Sequence, residues 1–184
     1  MYMRFTKCEI PDVVLIEPII FEDERGFFFE AYKKIELLNY GIRQDFVQDN
    51  HSSSQKYTLR GIHYQKNYTQ GKLVRAVIGE IFDVAVDLRK HSPFFGKWVS
   101  AYLSAENKQQ LWIPPGFGHG FLALSERADV VYKATDYYDP NSERTILWND
   151  PNLAINWPIP EGIEPMISLK DASGKLVTEA EVFE

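Results

Sequence analysis

The sequence predicts an all-β protein, an antiparallel sandwich or small barrel with a few short helices. Three observations support this. Ten short segments rich in β-branched and aromatic residues are separated by turn residues. Gly79-Glu80 and Ser125-Glu126-Arg127 have the composition of hairpin turns. Phe82, Val84, Val86 and Leu88 alternate with Asp83, Ala85 and Asp87, which is the period of a strand with one oily face and one face carrying carboxylates.

Taken in order, the first strand is expected from Val13 to Ile20, on the run Val13-Val14-Leu15-Ile16. A second, carried by three phenylalanines, runs from Gly26 to Tyr32. Lys33 to Asn39 reads as a helix stopped by Gly41. Further strands are expected at Phe46 to Ser52, Thr58 to Gln65, Lys72 to Ile78, Ile81 to Leu88, Trp98 to Leu103, Gln110 to Ile113, Phe121 to Leu124 and Val130 to Tyr138. Beyond Asp139 the prolines at 140, 151, 158, 160 and 165 predict irregular backbone, with a helical turn near Pro151. No repeat or linker divides the chain, so residues 1–184 are expected to form a single domain.

A net charge of -6 argues against nucleic acid or an acidic membrane surface as the main partner. The early apolar run is cut by Glu17 and Pro18, too short for a signal core or a membrane span. One cysteine, Cys8, excludes an internal disulfide and fits a reducing, cytoplasmic setting; its plain reading is a small buried hydrophobe.

The chemistry concentrates in Arg60-Gly61-Ile62-His63-Tyr64-Gln65, followed by Gly71-Lys72-Leu73-Val74-Arg75. A histidine can remove a proton next to a carbonyl, and a lysine can hold the oxyanion that results. Period-two counting places His63 with Gly61 and Gln65 and puts Arg60 on the other face, unless Gly61 hosts a bulge that turns Arg60 round. Lys72 shares a face with Val74 and Ala76. If their strand is unbroken, Tyr132 shares one with Ala134, Asp136 and Tyr138. Both tyrosines also suit plain strand packing. His51 and His91 lie in polar contexts and read as surface residues. Lys170-Asp171 reads as a solvated pair unless the chain folds Asp171 back onto His63, where a carboxylate would fix the imidazole tautomer.

Pro114-Pro115-Gly116-Phe117-Gly118-His119-Gly120 resembles the second motif of cupin barrels. Metal-binding cupins usually offer His-x-His in the first motif. Here it reads His63-Tyr64-Gln65, and an amide is a poor transition-metal ligand, so no metal is expected.

Seven blocks in register resemble the dTDP-4-dehydrorhamnose 3,5-epimerase family: Asp23 to Glu30, Phe46 to Asn50, Leu59 to Gln65, Gln70 to Arg75, Gly79 to Arg89, Ile113 to Phe121 and Leu169 to Asp171. The resemblance implies a cupin-like jelly-roll barrel and a dTDP-4-keto-6-deoxy sugar substrate. It also implies His63 as base paired with Asp171, Lys72 at the developing oxyanion and Tyr132 as the acid on the opposite face. Arg60 would contact the phosphate or sugar region. Gln48, Asp49, Asn50, His119, Glu143 and Lys170 would line the nucleotide-sugar site, and Tyr138 would stack on thymine. Arg25 and Glu30 would come from the partner subunit of a homodimer. The ketone is its own electron sink, so no cofactor is implied. The alternatives are a single-site C3 or C5 epimerase, a metal-dependent cupin and a non-catalytic sugar-binding barrel.

Overall fold

The computed structural model describes residues 3–184. In chain order the elements are β1 (Met3–Lys7), β2 (Val14–Pro18), β3 (Phe21–Asp23), β4 (Gly26–Phe28), α1 (Lys34–Tyr40), β5 (Gln48–Gln55), β6 (Leu59–Gln65) and β7 (Lys72–Ile78). They continue as β8 (Glu80–Asp87), β9 (Trp98–Ser104), β10 (Gln110–Ile113), β11 (Phe117–Ala123), β12 (Arg127–Ala134), β13 (Glu143–Thr145) and α2 (Leu169–Ala172). One sheet runs β1-β2-β10-β7-β12-β5, a second β13-β6-β11-β8-β9, and β3-β4 form a separate hairpin. Every pairing within these sheets is antiparallel. This is the antiparallel sandwich the strand pattern predicts, arranged as the cupin-like jelly roll that the resemblance implies, two sheets facing each other around a filled interior.

Three apolar layers hold it. Between the sheets, Val74 and Ala76 of β7, Leu111 and Ile113 of β10 and Val130 of β12 meet Ala85 of β8, Val99 and Leu103 of β9 and Phe121 of β11. Cys8 packs at the edge of this layer, and burial pushes its thiol pKa up. Outside the first sheet, Val14, Ile16, Leu73 and Trp112 are covered by Leu37 of α1 and by Ile42. α1 ends where the sequence places its stop, at Gly41 with φ 109, whose N–H donates to the Leu37 and Leu38 carbonyls. Outside the second sheet, Phe82, Val84, Val86 and Leu88 are covered by Leu153, Ile155, Trp157 and Val177 of the C-terminal segment. The proline-rich tail thus forms the third layer. The oily side of β8 faces that tail, and the carboxylate side faces the barrel interior.

The structure differs from the sequence expectations at several ends. β1, β3, β13 and α2 are additional elements, the strand expected from Gly26 stops at Phe28, and β11 begins at Phe117 rather than Phe121. The helical turn expected near Pro151 is present as a single turn over 151–153, with the Leu153 and Ala154 N–H groups donating to the Asp150 carbonyl at 3.2 and 2.9 Å. β12 stops at Ala134, so the expected single strand through Tyr138 is broken, and Tyr138 belongs to a loop.

Gly61 does host the bulge. β11 advances two residues from His119 to Phe121 while β6 runs three, from His63 back to Arg60. That extra residue turns Arg60 to the same cavity as His63. Gly61 has φ 125, and a Cβ there would meet Gly120 Cα at 2.5 Å and His119 O at 2.7 Å. Gly61→Ala is expected to cost about 2 kcal/mol, because two backbones must part to admit the methyl. A lower urea midpoint at unchanged m-value is the readout, and an unchanged midpoint would contradict it.

Candidate active site

The inward-facing polar residues gather in one cavity of about 190 Å³. β5 contributes Ser52, β6 contributes Arg60, His63 and Gln65, and β7 contributes Lys72. His119 and Phe121 come from β11 and Tyr132 from β12, while Gln70, Tyr138 and Glu143 close one side. Cross-strand register explains the gathering: His63 lies opposite His119, and Lys72 opposite Ala134, two residues from Tyr132 on the same face. Residues 108 positions apart in sequence also meet here. His63 Nε2 hydrogen-bonds to Asp171 Oδ1, and Asp171 is itself held at the start of α2, where its N–H donates to Ser168 Oγ at 3.1 Å. A carboxylate accepts only, so Nε2 carries the proton and the other ring nitrogen keeps its lone pair. Although burial works against it, the bond from His63 leaves the Asp171 carboxyl below its ordinary pKa.

Lys72 is buried at 8 % exposure and makes no ion pair within 4.0 Å among the described residues. Burial brings its ammonium pKa down to about 8, against the opposing pull of the Asp83 and Glu143 carboxylates. His119 Nε2 donates to Asp83 Oδ2 at 2.9 Å, on the diagonal of the β8–β11 pair. Burial lowers the His119 pKa, with Asp83 pulling the other way. Tyr132 meets His119 edge-on, with ring centroids 6.5 Å apart, and burial raises its phenol pKa. Glu143 is pushed up by burial but lowered overall, because it accepts bonds from Lys170 Nζ at 2.8 Å and Tyr138 Oη at 2.9 Å. Arg60 donates to Ser54 Oγ at 3.0 Å and to the Ser53 carbonyl at 3.2 Å. The result is an imidazole with a fixed tautomer, a buried ammonium and a half-buried phenol, set around one space on two facing sheets.

The dTDP-4-dehydrorhamnose 3,5-epimerase family model matches residues 7–179. The chain belongs to this family. It is 56% identical to the dTDP-4-dehydrorhamnose 3,5-epimerase of Salmonella typhimurium over 97% of both chains. It is 54% identical to that of Pseudomonas aeruginosa over 98% of this chain and 99% of the relative. Among solved structures, it superposes at TM-score 0.92 and 52% identity on dTDP-6-deoxy-D-glucose-3,5-epimerase from Legionella pneumophila Philadelphia 1 in complex with dTDP-4-keto-L-rhamnose. That match covers 96% of this chain and 94% of the other.

Of the residues the epimerase resemblance singles out, the cavity brings together His63, Lys72, Tyr132, Arg60, His119, Tyr138 and Glu143, with Asp171 behind His63 and Lys170 behind Glu143. Gln48 and Asn50 share the inner face of β5 with Ser52, and Gln48 Nε2 donates to Asn50 Oδ1 at 2.9 Å. Asp49 does not join them. Strand alternation turns it to the opposite face, where it accepts from Lys133 Nζ at 2.9 Å. Arg25 and Glu30 also lie outside this cavity. Arg25 pairs with Asp23 on the exposed β3–β4 hairpin, and Glu30 pairs with Lys33. His51 and His91 are exposed, as expected of surface residues.

Two contributors were absent from the sequence reading. Asp83, buried at 0 % exposure, holds His119, while its Oδ1 has no hydrogen-bond partner among the described residues. Ser52 Oγ is likewise buried and unpartnered on the cavity wall. Their signals were an aspartate inside an apolar strand and a serine two positions beyond Asn50. Among the described residues, no three His, Cys, Asp or Glu side chains are gathered as metal ligands. No helix there is long and apolar enough to cross a membrane.

Proposed function

We propose that this protein epimerises dTDP-4-dehydro-6-deoxy-D-glucose at C3 and C5 to dTDP-4-dehydro-L-rhamnose. The observation that carries this reading is the convergence of His63, Lys72 and Tyr132 on one cavity of an epimerase-family barrel. Hydrogens at C3 and C5 both lie next to the C4 ketone. The free nitrogen of His63 removes one, and Asp171 stabilises the imidazolium that forms. Charge collects on the C4 oxygen as an enolate, where the Lys72 ammonium holds it more strongly than it holds the ketone. Tyr132 returns a proton from the opposite face and inverts the carbon; solvent then takes the proton from His63 and restores that of Tyr132, and repetition at the second carbon completes the reaction.

Arg60, Gln48, Asn50, His119, Glu143 and Lys170 hold the nucleotide sugar, and Tyr138 stacks on thymine. Asp49, on the outer face, would reach the ligand only from a partner subunit or through its backbone. The working unit in this reading is a cytoplasmic homodimer with one such domain per subunit. The exposed Phe27 and Phe28 beside Arg25 support a hairpin that delivers Arg25, with Glu30 close behind in sequence, into the partner's cavity.

Incubation of the keto sugar in heavy water with a downstream reductase is the test. Deuterium at both C3 and C5 together with a rhamnose product is expected. Deuterium and inversion at one carbon alone would replace the double reaction with a single epimerisation, and binding without exchange would leave a sugar-binding barrel. Tyr132→Phe is expected to keep deuterium entry into recovered substrate while slowing product formation about a hundredfold, most visibly at C5. Normal inversion at both centres in that variant would remove Tyr132 as the acid.

A further inference from the structure

Tyr138 reaches the cavity mouth from a loop with no sheet ladder of its own, so something else must fix that backbone. Three glutamine side chains do so, at four consecutive residues. Gln70 Nε2 donates to the Asp136 carbonyl at 2.8 Å, and Gln65 Nε2 donates to the Tyr137 carbonyl at 3.1 Å. The Tyr138 N–H donates to Gln48 Oε1 at 3.0 Å, and the Asp139 N–H donates to Gln65 Oε1 at 2.8 Å. Gln65 is the keystone. It is 4 % exposed, and its second amide hydrogen goes to the Tyr68 carbonyl at 2.7 Å, so the whole amide is used on backbone. Gln48 is steadied in turn by its bond to Asn50.

Only a side chain that both donates and accepts can make this set of bonds. A glutamate at 65 would face two carbonyl oxygens, and an aliphatic residue would strand the backbone groups of three residues. The gain from such a clasp is preorganisation, because a ring already held in place loses little freedom when a ligand stacks on it.

We propose that Gln65, assisted by Gln48 and Gln70, is a positioning residue that locks the 136–139 backbone so that Tyr138 presents a preset platform to the nucleotide base, and thereby sets nucleotide affinity. The inference rests on the stacking role assigned to Tyr138 above. It predicts an effect on KM and on binding of the product-like nucleotide, with the chemical step left alone.

The experiment measures dTDP affinity by calorimetry, together with kcat and KM, for the parent, Gln65→Leu, Tyr138→Ala and the double variant. Gln65→Leu is expected to weaken dTDP about tenfold and raise KM in step, with kcat within about twofold of the parent. In the Tyr138→Ala background it should add nothing. If thermal melting shows Gln65→Leu unfolded, Gln70→Ala, which removes one bond from a half-buried side chain, takes its place with a smaller loss of the same pattern. A fall in kcat at unchanged dTDP affinity would overturn the proposal, as would an equal loss of affinity in both backgrounds. If Tyr138→Ala alone binds dTDP as the parent does, the stacking role itself falls and the clasp's purpose falls with it. If Tyr138→Ala weakens binding and neither glutamine variant does, the clasp alone is refuted.

Discussion

His63→Asn is expected to abolish deuterium entry at both C3 and C5, with kcat down about a thousandfold and dTDP affinity retained. The size follows from the cavity: of its two lining histidines, each held at Nε2 by a carboxylate, His63 is the more open to the space, with its side chain 25% exposed against 7% for His119. His119 is a poor substitute, since burial holds its pKa down against the pull of Asp83. Asparagine stops short of the Nε2 position and so loses the bond to Asp171, but it is polar and smaller than histidine, so packing behind the site should survive. Asp171→Asn tests the same point from the other side. An amide can donate to Nε2, which stabilises the tautomer whose proton sits on the cavity side, and the rate should fall by a similar factor without loss of nucleotide binding. Parent-level exchange in His63→Asn would remove His63 as the base.

How much of this was legible in the sequence depends on the distance over which each feature is determined. The alternation in β8 was readable residue by residue, but which of its faces meets the barrel interior was not. That is decided by the tail residues Leu153, Ile155, Trp157 and Val177, whose packing no local pattern announces. Arg60 and His63 came out on one face because Gly61 accommodates φ 125, and a glycine inside a strand pattern is a local signal for a bulge. Tyr138 was misplaced on a strand because the period-two count ran past Ala134, where Thr135 Oγ1 instead accepts from the Gly71 N–H at 2.7 Å and the chain leaves the ladder. Alternation alone was enough to separate Asp49 from Asn50, and the family resemblance, which groups them, obscured it. The meeting of His63 with Asp171 joins an inner strand to a four-residue helix. Only the resemblance pointed to that pair, since no periodicity links positions so far apart.

Lys72→Met is expected to lower kcat/KM by a factor of about 10² to 10³ without lowering the melting temperature. Both parts come from burial. In the proposed reaction the ammonium is buried, so its hold on a developing enolate would be strong. The same burial brings its pKa down to about 8 from the ordinary 10.5, which means the folded state carries the charge at a cost on the order of 3 kcal/mol below that pH. The sign is fixed by proton counting. Between about pH 8 and 10.5 the unfolded chain binds more protons at this site than the folded one, so this contribution to stability improves as pH rises through that window. Methionine removes the cost at neutral pH while filling similar volume. Against it stands Asp83, whose unpartnered Oδ1 loses a nearby positive field, but that attraction is already contained in the net lowering of the Lys72 pKa. A second signature separates the lysine's chemical role from its packing. The kcat/KM of the parent should fall on the alkaline side near pH 8 as Lys72 loses its proton, and that limb should vanish in Lys72→Met. A limb that persists unchanged in the variant would assign it to another group. A variant that turns over like the parent would leave the enolate with no identified counter-charge and would require the oxyanion to sit elsewhere in the cavity, against Arg60 or His119.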